Sequence, residues 1–343
     1  MEMLSNFSLI LGFNLWHTII SWFGNWITNY GWAIIVFTIA LKLLMSPLDI
    51  YQRISTKKQQ KFQTAMQPEL QAVQAKYAND KEKLNQETAK IYKKYNFNVG
   101  GMCFSMLITM GVSMVIFFTL FSSLRSYGTQ KLYSSYDSLD KAYVQTVESA
   151  EYATLTDDEK ATTLNIAIEL KYDEVSKQNS WLWVKNVWKK DTNESQFVDF
   201  NSYADHMGLS GTEREEAKAR YDYIVKTIDG EKTQPNGYYV LIILAVAITF
   251  LTQWLSQKIT MPKGQKLNTM NKVMLAVIPI TMAILASTSN VVFTLYIIAN
   301  SVMSAIISTI LALTMKPKAG KEEDVVLPKK NVEVVEYSRN YKK

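Results

Sequence analysis

Residues Gly31–Pro47 read GWAIIVFTIALKLLMSP. The stretch is apolar apart from Thr38, Lys42 and Ser46, and Lys42 is the first basic residue of the chain. With its flanks it is long enough to cross a bilayer, which takes about 20 apolar residues. A lysine near the centre of such a helix costs roughly 3 kcal/mol on insertion scales. The helix keeps that charge only where it finds water, a partner or a task. At 1.5 Å per residue Lys42 lies roughly 8 Å from the Pro47 end, so its side chain also has the reach to snorkel to that edge.

Working outward, Met1–Trp26 contains no Lys or Arg and so lacks the basic start of a secretory signal. Its polar residues Asn14, Thr18, Ser21 and Asn25 fall at helical spacing among Leu, Ile, Phe and Trp, the pattern of an amphipathic helix lying in the membrane interface over 1–28, with a first spanning helix over 7–27 as the alternative. A first span over 29–50 follows, with Pro47 expected to end or kink it. Residues 51–100 turn rich in Gln, Lys and Ala. Ala78-Asn79-Asp80 supplies a turn between two helical patterns, so a helical hairpin outside the bilayer is expected, its first arm bent at Pro68. Apolar stretches then predict spans over 101–124, 238–256, 273–288 and 290–315. Between them lie a long polar loop over 125–237 and a short loop over 257–272, and a polar tail over 316–343 closes the chain. In the long loop, Thr156-Asp-Asp-Glu159 reads as a capping box, and Ser180-Trp-Leu-Trp-Val-Lys-Asn-Val-Trp188 reads as an aromatic segment at the interface.

Charge orients these segments. The hairpin carries 10 basic against 4 acidic residues, the short loop 4 against none, the tail 8 against 5, and the long loop 14 against 20. Basic loops stay on the cytoplasmic side. The expected fold class is therefore an all-α integral membrane protein with five transmembrane helices. It has an N-terminal interfacial helix, a cytoplasmic helical hairpin and an enlarged, acidic extracytoplasmic helical loop. The N-terminus is outside and the C-terminus inside.

Each of four spans carries a polar stripe: Thr38 and Lys42; Ser105, Thr109 and Ser113; Thr249, Gln253 and Ser256; and Tyr296, Asn300, Ser304 and Ser308. Residues four apart share a helix face, so four such faces, one of them cationic, can enclose a hydrated groove. Small hydroxyl residues also serve plain close packing between membrane helices, and both readings stand at this stage. Composition excludes other classes. The single cysteine, Cys103, and two histidines leave no disulfide framework, Cys-based zinc site or iron–sulfur cluster. No phosphate-binding glycine loop or nucleophile–base set is present, so neither enzyme activity, cofactor, metal nor DNA partner is expected.

The order of elements resembles the YidC-type membrane protein insertases. The matching residues are Gly31-Trp32-Ala33-Ile34-Ile35, Thr38, Lys42 and Pro47-Leu48, then Met66-Gln-Pro-Glu-Leu70 and Lys76-Tyr77. They continue with Ile91-Tyr-Lys-Lys-Tyr-Asn-Phe-Asn98, Gly101-Met-Cys-Phe104, Trp181-Leu-Trp183 with Asp191, Gln253-Trp-Leu-Ser-Gln-Lys258 and Tyr296-Ile-Ile-Ala-Asn300. The resemblance covers roughly 7–124, 180–192 and 238–316. It implies a bacterial plasma-membrane protein that inserts newly made membrane proteins through a cytoplasm-open groove. Lys42, Thr38, Tyr296, Asn300, Thr109, Ser113 and Gln253 would line that groove. It further implies nascent membrane proteins, the ribosome, the Sec translocon, the signal recognition particle receptor and membrane lipid as partners. The chain departs from the family where Lys42 replaces the usual Arg, where Ser105, Thr109 and Gly111 stand for Pro, Gln and Pro, and in the length of its outer loop. The N-terminal lipid-modified Cys or signal of many Gram-positive members is also not seen. Lys keeps the charge but not the planar fork of a guanidinium. Two other readings remain open from the residues: an anion channel or transporter using Lys42, and a scaffold recruiting partners through the outer loop.

Overall fold

The computed structural model describes residues 15–95, 99–232, 234–260 and 269–314, with side chains described there except at 56–64, 99–110, 231–232, 260 and 269–271. Residues 1–14, the tail over 316–343 and half of the short basic loop lie outside the described residues. No strand occurs among the described residues; only two isolated bridges do, Trp181 with Val184 and Ser195 with Pro235. The chain divides into two compact units, one of residues 1–44 and 116–309, the other of residues 45–115 and 310–343.

Helix α1 covers residues 15–26. It packs Trp16, Ile19, Ile20 and Phe23 into a buried apolar cluster, and the Trp16 indole N–H donates to Thr119 Oγ1 at 3.1 Å. Its polar Thr18 and Asn25 face solvent, as do Leu15, Trp22 and Trp26. The buried face follows from the 3.6-residue period.

Helix α2 runs Tyr30–Lys76 as one element through Pro47 and Pro68. The sequence reads Pro47 as an end or kink and the hairpin arm as separate. Each proline deletes one ladder hydrogen bond, yet the good helix formers on either side (LKLLM before Pro47, KKQQKFQ before Pro68) carry the helix on. At 1.5 Å per residue its 47 residues reach about 70 Å, more than twice the ~30 Å hydrocarbon thickness. Helix α3, Lys81–Lys94, returns after a turn in which Asp80 caps the helix by accepting from Lys83 N at 3.1 Å. Its end is tied back to α2: Lys94 Nζ donates to Glu69 at 2.9 Å, and Tyr95 Oη donates to the same carboxylate at 2.9 Å. Met66 and Ile91 are the buried apolar residues here. That carboxylate and its surroundings push the Tyr95 phenol up to about 12, burial contributing most.

Helix α4, Val99–Val147, is also a single element of 49 residues. The sequence reading stops its span at 124, but no proline follows, and Gly128 sits where the Asn290 side chain abuts the helix backbone, leaving no room for a Cβ. The continuation carries Tyr136 and Leu139 into a second apolar cluster. Around it gather α5 (Ala150–Ala153), α6 (Asp157–Asn179), α7 (Phe200–Met207), α8 (Gly211–Thr227) and α9 (Asp229–Lys232). Leu164 and Ile168 of α6, Phe200 and Tyr203 of α7, and Tyr221 and Ile224 of α8 fill it. The Tyr136 ring meets Tyr203 edge-on at 4.6 Å and Tyr221 at 5.3 Å, an arrangement favoured by the ring quadrupole. The segment after the second apolar stretch is thus a helical cap with its own core. Its capping box forms: the Glu159 carboxylate accepts from the Thr156 amide at 2.9 Å and its hydroxyl at 2.7 Å. Arg220 Nε donates to Asp140 Oδ1 at 2.8 Å, joining α8 to α4.

Helices α10 (Val240–Thr260), α11 (Thr269–Thr288) and α12 (Val291–Thr314) complete the chain. Three described helices are long and apolar enough to cross a membrane: Tyr30–Ser55 within α2, Val240–Ile259 and Val291–Thr314; Lys272–Thr288 is a shorter apolar helix.

Candidate functional site: a polar run below an apolar plug

The buried cluster shared by α1, α2, α4, α10, α11 and α12 draws on the first turns of α2, α10 and α12, the middle of α4 and the end of α11. It takes Ile34 and Phe37 from α2, Leu120 and Leu124 from α4, Leu241 and Ala245 from α10, and the whole of Val291–Ile297 except Thr294 from α12. Thr294 is itself fully buried. Phe293 anchors it, meeting Phe121 edge-on at 4.7 Å and stacking near Tyr296 at 6.0 Å.

The segment between α6 and α7 holds this plug in place. Val291 N donates to Lys189 O at 2.9 Å and Val292 N to Val187 O at 3.1 Å, which satisfies the first amides of α12. The buried Asp191 does the same for α10, accepting from Leu241 N at 2.8 Å and Ile242 N at 3.2 Å. Free amides at a helix start need such partners. Asn236, also buried, accepts from Asn186 N and donates to Asn186 O and Lys190 O, at 2.8, 2.9 and 2.8 Å. Trp188 Nε1 donates to Asn179 Oδ1 at 2.8 Å. Gly31 makes room for Trp181, whose ring lies against the α2 backbone there. Asn29 Nδ2 donates to Ser180 O at 2.6 Å. The 180–191 segment, whose first part the sequence reads as interfacial, therefore caps the starts of α10 and α12 and packs against that of α2. Its structural importance could be suspected from the aromatic density, but its capping role could not.

Beyond the plug the same helices become polar. On α2, Thr38 is buried and its hydroxyl donates to Ile34 O at 2.6 Å, and Lys42 follows one turn on, half-buried. On α12, Tyr296 is 8% exposed at the plug's edge, and Asn300 follows one turn on, half-buried. Gln253 on α10 is half-buried. Thr249 and Ser256 pair with Ser301 and Ser308 of α12 through hydroxyl contacts of 3.3 and 3.2 Å. Part of the α10 and α12 polar faces is thus spent on close packing between those helices, one of the two roles their hydroxyls permit. Ser113 is exposed and belongs to the other compact unit. Thr109 is helical, and its side chain lies outside the described residues.

The fold and these polar residues define an all-α membrane protein with a buried apolar cluster, polar residues further along its helices, and a polar helical segment with its own core. Among the described residues no group of three or more His, Cys, Asp or Glu is placed to hold a metal. The sequence model of the 60Kd inner membrane protein family matches residues 22–318, and the chain belongs to that family. A protein of Fusobacterium nucleatum subsp. nucleatum named Membrane protein insertase YidC is 39% identical over 101 residues, 29% of this chain and 45% of that protein. One of the same name from Caldanaerobacter subterraneus subsp. tengcongensis is 37% identical over 103 residues, 30% of this chain and 46% of its own length. Another, from Leptospira interrogans serogroup Icterohaemorrhagiae serovar Lai, is 40% identical over 96 residues, 28% of this chain and 14% of its own. Each match spans under half of the relative's length. Family membership and the apolar helices make this a bacterial plasma-membrane protein.

Proposed function

We propose that this protein inserts newly made membrane proteins and helps them fold, using a hydrophilic, cytoplasm-open groove in which Lys42 is the cationic residue. The observation that carries the reading is that α2, α10 and α12 each bury an apolar first part and carry partly buried polar residues further along. Phe37, Phe293 and their neighbours close one end, while Lys42, Gln253 and Asn300 follow along the same helices and are only half-buried. Such an arrangement shortens the hydrocarbon that a polar segment must cross.

In this mechanism the acidic tail of a substrate enters from the cytoplasm and is drawn to Lys42, with Thr38, Tyr296, Asn300 and Gln253 as polar walls. The substrate's apolar helix then leaves between α10 and α12 into lipid. Burial of that helix supplies the drive, together with the membrane potential, worth about 2.3 kcal/mol per charge per 100 mV. Five spans with the N-terminus outside and the C-terminus inside fit the charge of every loop. The hairpin would receive substrate, the basic tail would bind ribosomal RNA, and the ribosome, Sec translocon and signal recognition particle receptor are proposed partners. The enlarged cap stands on the outer side.

The test is complementation of a depleted strain, scoring insertion of a short substrate with an acidic translocated tail. At an effective dielectric near 20, a unit-charge pair about 5 Å apart is worth about 3 kcal/mol, or about two orders of magnitude. Lys42→Ala is expected to lose insertion on that scale, Lys42→Glu to lose more, and Lys42→Arg to retain it. Full activity of Lys42→Ala sinks the role assigned to the charge. Ion flux through liposomes that depends on Lys42 would favour the channel reading instead.

A further inference from the structure

Lys131 is a further partly embedded cation of the chain. Lys131 lies on α4 beyond the plug and is half-buried. Its ammonium donates to Tyr30 Oη at 3.0 Å and stands 5.1 Å from the Tyr30 ring centre and 5.4 Å from that of Tyr127. Among the described residues no carboxylate lies within ion-pair distance of it. Burial alone would lower the affinity of Lys131 for its proton; the hydrogen bond to Tyr30 and the two nearby phenols outweigh that and hold it above its ordinary value. The ammonium therefore remains charged with only neutral neighbours.

The pocket around it is rigid. Tyr30 and Tyr127 both meet the buried Trp188 edge-on, at 4.9 and 5.5 Å, and Trp188 is fixed by Asn179. His17 of α1 packs edge-on against Tyr127 at 4.9 Å. The Tyr30 oxygen already accepts from Lys131, which leaves the phenol proton to point outward as a donor. The cluster thus offers N–H and O–H donors and contains no acid to receive them. Its depth is informative too. Tyr30 opens the 26-residue apolar helix, and α1 beside it exposes the stacked pair Trp22 and Trp26, 5.1 Å apart, residues typical of the headgroup level.

We propose that Lys131, Tyr30 and Tyr127 form a binding site for the phosphodiester of a membrane phospholipid. Lys131 would supply the charge and Tyr30 the second donor, with the Tyr127 ring beneath. An embedded cation at headgroup depth finds phosphodiester oxygens as its nearest abundant anion, and charge-assisted hydrogen bonds are the strong ones. The site does not depend on the insertase mechanism, and it requires no groove.

Native mass spectrometry of the full-length protein in detergent, titrated with phosphatidylglycerol or with diacylglycerol of the same chains, tests this. Wild type is expected to hold one phosphatidylglycerol about tenfold more tightly than diacylglycerol. Lys131→Gln should remove that difference, and Lys131→Arg should restore it. Equal retention by wild type and Lys131→Gln overturns the site, as does equal retention of the two lipids by wild type. Displacement of the lipid by millimolar glycerophosphate assigns a small-anion site instead and overturns the lipid assignment. Should Lys131→Gln fail to fold, Tyr30→Phe, which keeps the ring and removes only the hydroxyl, is expected to weaken binding several-fold; wild-type binding by Tyr30→Phe would then count against the proposal.

Discussion

Asp191→Ala probes the joint between the cap segment and the membrane helices. Asp191 is 1% exposed, and its Oδ2 receives both first-turn amides of α10, Leu241 N and Ile242 N. Leu241 is fully buried and Ile242 nearly so, so water cannot replace the lost acceptor without opening the plug. Each stranded buried donor costs about 1–3 kcal/mol, and loss of a favourable anion at a helix start adds about 0.3–1 kcal/mol. The preceding Tyr238 and Tyr239 adopt left-handed φ values of 69° and 63°, a conformation that costs side-chain-bearing residues about 1–3 kcal/mol each and that the cap holds in place. The two stranded donors and the lost anion together are expected to cost about 2–7 kcal/mol, or roughly two to five orders of magnitude in local opening. Asp191→Asn keeps an acceptor oxygen in place and should lose only about 1 kcal/mol. Hydrogen exchange at 240–246, together with thermal melting in detergent, reads both variants. Protection in Asp191→Ala equal to wild type, or an Asn variant as damaged as the Ala variant, refutes the capping argument.

Gly31→Ala is expected to destabilise the contact between α2 and Trp181, because a Cβ would run into the indole; overpacking of this kind costs about 1–3 kcal/mol, visible as a lower melting temperature and altered Trp fluorescence, while Ala at the open Gly111 should be neutral or stabilising. The Asp199 carboxylate caps α7, and the Ser202 amide, at 2.9 Å, holds it below the usual carboxylate range. A depressed folded value means that this stabilisation is present above pH ~4 and is lost as the pH falls through the folded value. Asp199→Asn should therefore match wild type near pH 7 and lose less α7 protection than wild type between pH 4 and 2, as read by hydrogen exchange at Ser202–Tyr203; identical acid profiles would remove Asp199 from the account.

Local periodicity and charge made much of this protein legible in advance. Of the five spans read from the apolar runs, three coincide with described helices long and apolar enough to cross a membrane, as about twenty largely apolar residues require. The capping box at Thr156 and Glu159 and the turn at Ala78–Asp80 form as their residue types dictate. The net acidity of the 125–237 segment and the register of Thr38 with Lys42 are properties of the chain alone. The reach of α2 through Pro47 and of α4 past residue 124 was not legible, because a proline's local cost is weighed against packing that lies far away in sequence.

Helical spacing specifies which residues share a face, but it does not say which face meets which. Asn290 bonds the carbonyl of Leu124 across 166 positions, and Asn29 bonds Ser180 across 151. Asp191 finds its role only when α10 begins beside it. The sequence leaves groove wall and close packing both open for the hydroxyls of α10 and α12, and the tertiary structure commits several of them to each other. Lys131 looks like an ordinary loop lysine until folding surrounds it with Tyr30 and Tyr127. The sequence by itself determined the helices, their polar stripes and the sign of each segment, all set by neighbours within a few turns. The tertiary structure alone decided the plug, the segment that caps the starts of α10 and α12 and the two embedded lysines' surroundings, because each depends on groups brought together from opposite ends of the chain.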